Sequence, residues 1–186
     1  MAINRKQCPS CGAKNAVKIL YGEPTYEAYL ESENGDLKLG GCCVSPDSPE
    51  YHCKSCDHEW TWEEAVGAAY DRIIGLNASV GGFFGGFYEV NIHFESGNIA
   101  WRHIDKRYEK SLTQSELKQF KEELKMLNLL DWKSKYMMEG ILDGTSWSVE
   151  IVRDGRNLNR YGSNAFPEEW DKFCKLIQRI ADRKFS

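Results

Sequence analysis

The sequence predicts an α+β protein that has a small cysteine-rich region followed by a ββαββα domain. Three observations carry this prediction. Two Cys-x-x-Cys pairs lie in the first third of the chain, apolar residues alternate with period two from residue 87 onward, and two amphipathic helical patterns follow. We expect the second domain to form a four-stranded antiparallel sheet covered on one face by two helices.

The composition is that of a folded globular chain. Of its 186 residues 41% are hydrophobic and 28% are charged. No apolar stretch approaches the ~20 residues that span a bilayer, and the first twenty residues lack the apolar run of a signal peptide. We therefore expect a cytoplasmic protein without membrane association. Thiols stay reduced in that compartment, so its seven cysteines favour metal binding or packing over disulfides.

The two cysteine pairs predict a metal site. Cys8 and Cys11 form one pair, and Cys53 and Cys56 form the other. Four thiolates suit tetrahedral Zn²⁺ and leave no open position for water, so the predicted zinc is structural. Gly12 follows the first pair, where a turn back toward the metal needs positive φ. The alternative is a pair of redox dithiols, but we find no βαβ setting of the thioredoxin kind.

The forty-one residues between the pairs predict an inserted structure. Residues 16–21 have the pattern of a strand, and residues 25–33 that of a helix ended by Asn34 and Gly35. Tyr51 begins a strand that carries the second pair.

Cys42 and Cys43 lie outside the two pairs. The preceding Gly40 and Gly41 allow close backbone approach, so Cys42 could contact a ligand of the metal or replace one. The alternative is that both are small buried apolar side chains. His52 and His58 flank the second pair and are weaker candidates, because four thiolates already complete the shell.

These residues resemble zinc-ribbon proteins, and more specifically an uncharacterised bacterial family of them. The shared pattern is Cys-Pro-x-Cys-Gly, Tyr-Gly-x-Pro, Leu-Gly-Gly-Cys and Tyr-x-Cys-x-x-Cys-x-His-x-Trp, which stands here at residues 8–12, 21–24, 39–42 and 51–60. The resemblance covers about the first third of the chain. It implies bound zinc and a bacterial source, assigns no activity, and favours Cys42 over Cys43 as the inward-facing residue.

The charge is unevenly divided along the chain. Residues 1–66 carry six Lys and Arg against eleven Asp and Glu, a net charge of −5, whereas residues 67–186 carry +1. An acidic surface disfavours nucleic acid as a partner, because affinity for phosphates comes mainly from Lys and Arg.

We predict three segments: a zinc ribbon over residues 1–66, a helix and glycine-rich linker over 67–86, and the α+β domain over 87–186. The glycines at 81–86 lack the Lys-Ser/Thr ending of a phosphate loop and favour a linker.

The elements of the second domain are predicted from alternating apolar residues in the strands and from capping residues at the helix starts. Val90, Ile92 and Phe94 share a strand face, and Ile99, Trp101 and His103 alternate on the return strand. Thr113 and Glu116 form a capping box before a helix. The second half repeats this order: a strand with Trp147, Val149 and Ile151 turns at Asp154 and Gly155, and Pro167 begins a helix with an apolar stripe at Trp170, Phe173, Cys174, Ile177, Ile180 and Ala181.

No catalytic constellation emerges from the sequence. His93, His103 and Cys174 fit structural roles. The sheet face without helices, which carries Arg102 and Glu150, could dock a protein partner. We therefore expect an interaction or regulatory module that is not an enzyme. The alternatives are a nucleic-acid-binding zinc ribbon and an enzyme with a site between the domains.

Overall fold

The computed structural model describes residues 3–82, 84–138, 140 and 144–186. Its backbone contacts divide the chain into two compact units. Unit 1 runs from Ile3 to Ala69, and unit 2 runs from Tyr70 to Ser186. The division falls within a helix, α2, that spans Trp62–Asp71. In the described ranges, no helix combines the length and the apolar content that crossing a lipid bilayer requires.

Unit 1 is built on a small four-stranded sheet. Its elements are β1 (Ala16–Leu20), α1 (Tyr26–Glu33), β2 (Leu37–Leu39), β3 (Tyr51–Cys53) and β4 (Glu59–Trp60), and the strand order is β2-β1-β3-β4. The predicted strand β1 and helix α1 are confirmed. The Thr25 side chain caps α1 by accepting from the Ala28 amide, and Gly35 follows its end with a φ of +74°.

A parallel crossover lies between the two cysteine pairs. β1 pairs with β2 in parallel and with β3 in antiparallel orientation, and α1 connects β1 to β2. The expectation that the chain has no βαβ setting is therefore wrong. β2 has only three residues, Leu37 to Leu39, which is too short for a period-two pattern to reveal it.

The core of unit 1 is small and includes two of the paired cysteines. Its buried members are Cys8, Ala16, Tyr51, Cys53, Trp60 and Ala65. The Trp60 ring stacks on Tyr51 with centroids 5.9 Å apart, and its indole N–H donates to the Arg5 carbonyl at 3.1 Å. Among the described residues Trp60 is a fully buried indole of this core, and Trp62 packs against the core from its edge.

Unit 2 is a seven-stranded mixed sheet with helices. Its elements are β5 (Ile73–Gly82), β6 (Gly86–His93), β7 (Asn98–His103), β8 (Lys106–Ser111), α3 (Gln114–Met126), a 3₁₀ turn (Leu129–Asp131), β9 (Lys135–Met137), β10 (Ser146–Arg153), β11 (Leu158–Ser163) and α4 (Trp170–Ala181). The strand order is β8-β7-β6-β5-β10-β11-β9, antiparallel except for the parallel pair of β11 and β9. The α+β class is confirmed, but the prediction of four antiparallel strands is wrong.

The missed strand β5 lies at the centre of this sheet, in the stretch expected to form a helix and linker. The register shifts between Val152 and Arg153 on its partner β10, which interrupts the alternation of buried residues along β5. Gly81 allows β5 and β6 to lie close together near their connecting turn. A side chain at Gly81 would meet the backbone of Gly86 and Phe87 across the β5–β6 hairpin. Of the predicted linker residues, Phe83 lies outside the described residues.

The other missed strands lie at the two sheet edges. β8 has the sequence Lys-Arg-Tyr-Glu-Lys-Ser, which shows no apolar alternation. Charged side chains on such an edge strand hinder its pairing with other chains. β9 has only three residues.

The two predicted hairpins and the helices of unit 2 are present. Val90, Ile92 and Ile99 are buried, and both hydrogen bonds of the Thr113–Glu116 capping box form. The predicted apolar stripe of α4 is buried throughout. The sequence predicts that this helix begins at Pro167, but α4 begins at Trp170. Pro167 lies in a preceding turn, in which the Trp170 amide donates to the Pro167 carbonyl.

Candidate metal centre

The four paired cysteines converge on one point in unit 1. The Sγ atoms of Cys8, Cys11, Cys53 and Cys56 all lie within 4.8 Å of one another. Cys8 and Cys56 are 3.6 Å apart at sulfur, and so are Cys11 and Cys53. The closest contacts therefore join one pair to the other, which is the arrangement of a shared four-sulfur site and differs from that of two separate dithiols.

The two pairs sit in turns of the same backbone geometry. In the first turn the Cys8 amide donates to the Ala13 carbonyl, and the Gly12 amide donates to the Cys8 carbonyl. In the second turn the Cys53 amide donates to the His58 carbonyl, and the Asp57 amide donates to the Cys53 carbonyl. The residue after each second cysteine has positive φ, +74° at Gly12 and +58° at Asp57. The prediction for Gly12 is confirmed. Asp57 was missed as its counterpart, although Asp tolerates this conformation better than most residues.

The sulfur positions fit a tetrahedral metal ion. A Zn–S bond of about 2.3 Å gives a tetrahedron with edges of about 3.8 Å. The two 3.6 Å distances and the 4.8 Å limit bracket that edge. All four donors are soft sulfur atoms, which suit zinc better than magnesium or calcium. The cluster is therefore able to hold a metal ion such as zinc.

Local hydrogen bonds prepare one of these thiols for ionisation. Burial opposes the charged form of Cys53, but the Ser55 and Cys56 amides and the neighbouring thiols outweigh it and lower its pKa to about 7. At Cys56 the His58 amide favours the thiolate, whereas the Cys11 thiol, burial and the remaining thiols raise its pKa to about 12. The Cys56 thiol therefore stays protonated near neutral pH unless a cation stabilises its thiolate.

Asn15, which directly precedes β1, contacts the second cysteine turn. Its side-chain amide donates to the Ser55 hydroxyl at 2.9 Å, and its carbonyl oxygen lies 3.9 Å from the Cys53 sulfur. The sequence carried no signal for this role, because an asparagine before a strand is equally typical of an ordinary turn.

Among the residues that the structure describes, Cys42 does not belong to the sulfur cluster. Both Cys42 and Cys43 are exposed. The preceding glycines, Gly40 and Gly41, lie close to Tyr21 and Gly22 instead. A side chain at Gly40 would collide with the Tyr21 ring, and the Gly41 carbonyl accepts from the Gly22 amide at 2.8 Å. These glycines thus close the base of the inserted crossover.

The two histidines near the second pair have partners of their own. His52 places Nδ1 3.2 Å from the Lys38 ammonium and Nε2 3.5 Å from the Asp57 carboxylate. His58 stacks on Trp60 with ring centroids 6.0 Å apart. Neither belongs to the sulfur cluster found among the described residues.

The remaining candidate residues lie in unit 2 and do not assemble. His93 is exposed, and His103 stacks on Tyr88 at 3.9 Å while its Nε2 lies 2.9 Å from the Gly85 carbonyl. Cys174 is buried, and burial followed by the charge of Asp171 raises its pKa to about 12, so its thiol stays protonated.

Comparisons with known proteins add no assignment to this geometry. No family model matches the chain, and the search of curated proteins finds no match either.

Proposed function

We propose that the chain is a zinc-stabilised interaction module in which Cys8, Cys11, Cys53 and Cys56 hold a structural Zn²⁺. The observation that carries this proposal is the convergence of four sulfur atoms within 4.8 Å of one another. Four thiolates complete a tetrahedral shell and leave no position for water or substrate. The metal then acts as a cross-link and not as a Lewis acid at a reacting centre.

The small core of unit 1 supports a folding role for the metal. Cys8 and Cys53 are two of its six buried residues, so the core is incomplete unless the two turns that carry them are held together. Small domains with so little apolar volume commonly obtain part of their folding free energy from a metal. A regulatory or docking role requires only a stable surface, which a metal-bound sheet of this size provides.

The experiment that tests the metal is elemental analysis of protein purified under reductant. We expect one zinc per chain. Cys53→Ser should lose the metal, because three thiolates and a hydroxyl bind Zn²⁺ far more weakly. The matched control is Cys42→Ser, which changes an exposed cysteine outside the cluster and should retain full zinc content.

The folding role has its own readout in the indole N–H resonances of the tryptophans. The Trp60 indole donates to Arg5 in unit 1, whereas those of Trp101, Trp132 and Trp147 donate within unit 2. A chelator should abolish the dispersed Trp60 resonance and leave the other three in place. A metal-free preparation with an unchanged Trp60 resonance would overturn the proposal.

A further inference from the structure

The helix α1 presents its large side chains to solvent and its small ones to its own sheet. Tyr26, Tyr29 and Leu30 are 72%, 47% and 40% exposed, and no residue of α1 is buried. The better-covered positions are Ala28 and Ser32, four residues apart on the opposite face. A helix that packs on its own unit normally has the reverse arrangement, with its apolar stripe inward.

The chain segment that carries this apolar face is acidic. Residues 21–36 contain four glutamates and one aspartate and no Lys or Arg. Asp36 pairs with Lys54, but in the described part of the chain none of Glu23, Glu27, Glu31 and Glu33 forms an ion pair. The face therefore combines two tyrosine rings and a leucine with four carboxylates that lack a cationic partner.

The helix-free sheet face of unit 2, by contrast, satisfies its own polar groups. Arg102 donates twice to Glu89, and Asn77 links Asn91 to Glu150. A solvated face of this kind is ordinary for an antiparallel sheet and offers a partner little to gain. The exposed apolar area of α1 is the better docking surface.

We infer that α1 is the docking surface for a basic amphipathic protein segment, with Tyr26, Tyr29 and Leu30 as its contacts. This inference rests on the proposed interaction role and specifies its surface and partner. Charge complementarity selects the occupant, because lysine and arginine side chains would pair with the surrounding glutamates and pack over the tyrosine rings. The apolar side of such a segment would cover Leu30 and the ring edges. The same carboxylates would repel nucleic acid.

The test uses the zinc-loaded full chain and a labelled 18-residue helical peptide that carries Lys and Arg on one face and Leu on the other. Fluorescence anisotropy measures the Kd. We expect saturable one-to-one binding, and no binding of a counterpart in which Glu replaces every Lys and Arg. Tyr26→Ala, Tyr29→Ala and Leu30→Ala combined should raise the Kd by about tenfold or more, as loss of a central contact cluster does.

A matched control separates this face from exposed aromatic surface in general. Tyr161 on β11 is 47% exposed, the same fraction as Tyr29, and Tyr161→Ala should leave the Kd unchanged. Glu27→Gln combined with Glu31→Gln should slow association and weaken its dependence on salt while leaving the apolar contacts in place. Zinc content and the Trp60 resonance verify that every variant is folded.

Three outcomes would overturn the inference about α1. An unchanged Kd for the triple alanine variant would place the peptide elsewhere on the protein. Absence of peptide binding by a chain that carries its zinc would refute the partner chemistry and leave the zinc scaffold standing. A dimer in sedimentation that the triple variant dissolves, without peptide binding, would assign the face to a second copy of the chain. A chain without zinc refutes the proposed metal role independently of any peptide result.

Discussion

Gly12 and Asp57 occupy equivalent positions in the two cysteine turns, yet they meet the same backbone demand differently. Both have positive φ, a conformation that glycine adopts freely and that costs L-residues about 1 kcal/mol. A side chain at Gly12 would have no atom within 4 Å. Substitution there therefore changes the backbone energy without creating a clash.

We predict that Gly12→Ala lowers the free energy of unfolding of unit 1 by about 1 kcal/mol. Asp57→Gly should leave it unchanged or raise it slightly, because glycine relieves the strain at the same position of the other turn. Urea denaturation of the zinc-loaded protein, followed through the Trp60 resonance, measures both. Equal stability of Gly12→Ala and the native chain would contradict this account of the turn.

The cysteines differ in environment, and their reactivity should follow. Cys42 and Cys43 are exposed, four cysteines form the cluster, and Cys174 is buried with a raised pKa. A disulfide reagent should therefore modify two thiols of the zinc-loaded chain rapidly, the four cluster thiols only after chelation, and Cys174 only after denaturation. Mass spectrometry identifies the order, and early modification of Cys53 would count against metal protection.

Two raised pKa values in unit 2 predict a loss of stability in alkali. Burial raises the pKa of Cys174 from 9.0 to about 12 and that of Tyr70 from 10.0 to about 12. The unfolded chain releases these protons at lower pH than the folded chain does, so their contribution is complete below pH 9 and is lost as the pH rises toward 12.

The urea midpoint of unit 2 should accordingly decrease as the pH is raised from about 9 toward 12. Cys174→Ala should reduce that fall, since it removes one of the two groups, whereas Cys42→Ala should not affect it. A midpoint that is flat over this range in the native chain would refute the buried-thiol explanation.

At the scale of elements, local signals identified the helices and the two hairpins, and missed strands whose burial depends on distant pairing. The Thr25 and Thr113 caps and the apolar stripe of α4 lie within a few neighbouring residues, so the sequence displays them. The partners of β5 are β6, adjacent along the chain, and β10, about seventy residues away, where the register shift breaks its alternation. Burial patterns that depend on such distant pairing are not readable from a short window.

The glycines of the β5–β6 hairpin provide a test at this scale. Gly81→Ala should destabilise unit 2 by about 1–3 kcal/mol, because its methyl group would press on the backbone of Gly86 and neither strand can move aside. Gly85→Ala is the matched control in the same stretch, since a side chain there has no atom within 4 Å. Thermal unfolding compares them, and equal Tm values would indicate that the stretch is a pliable loop.

At the scale of the whole molecule, the sequence predicted the four cluster residues because the chemistry of a thiolate site constrains spacing. Two residues between paired cysteines are what a tight turn permits, and this can be recognised without knowing the fold. The supporting contacts were not predictable. Asn15 and Arg5 reach Cys53 and Trp60 through strand pairing and chain path, and neither residue type indicates such a role.

The hydrogen bond between Gly22 and Gly41 has a consequence for how unit 1 can change. The chain from residue 23 to residue 40, which includes α1 and the edge strand β2, begins and ends beside that contact, while β2 also pairs with β1 and Lys38 contacts His52 and Glu59. The remaining strands and both cysteine turns do not lie in this excursion. A hairpin grafted between those two glycines would find its ends already in place, and if it kept the pairing with β1 and the Lys38 contacts, the recognition surface could be changed without altering the four cluster cysteines.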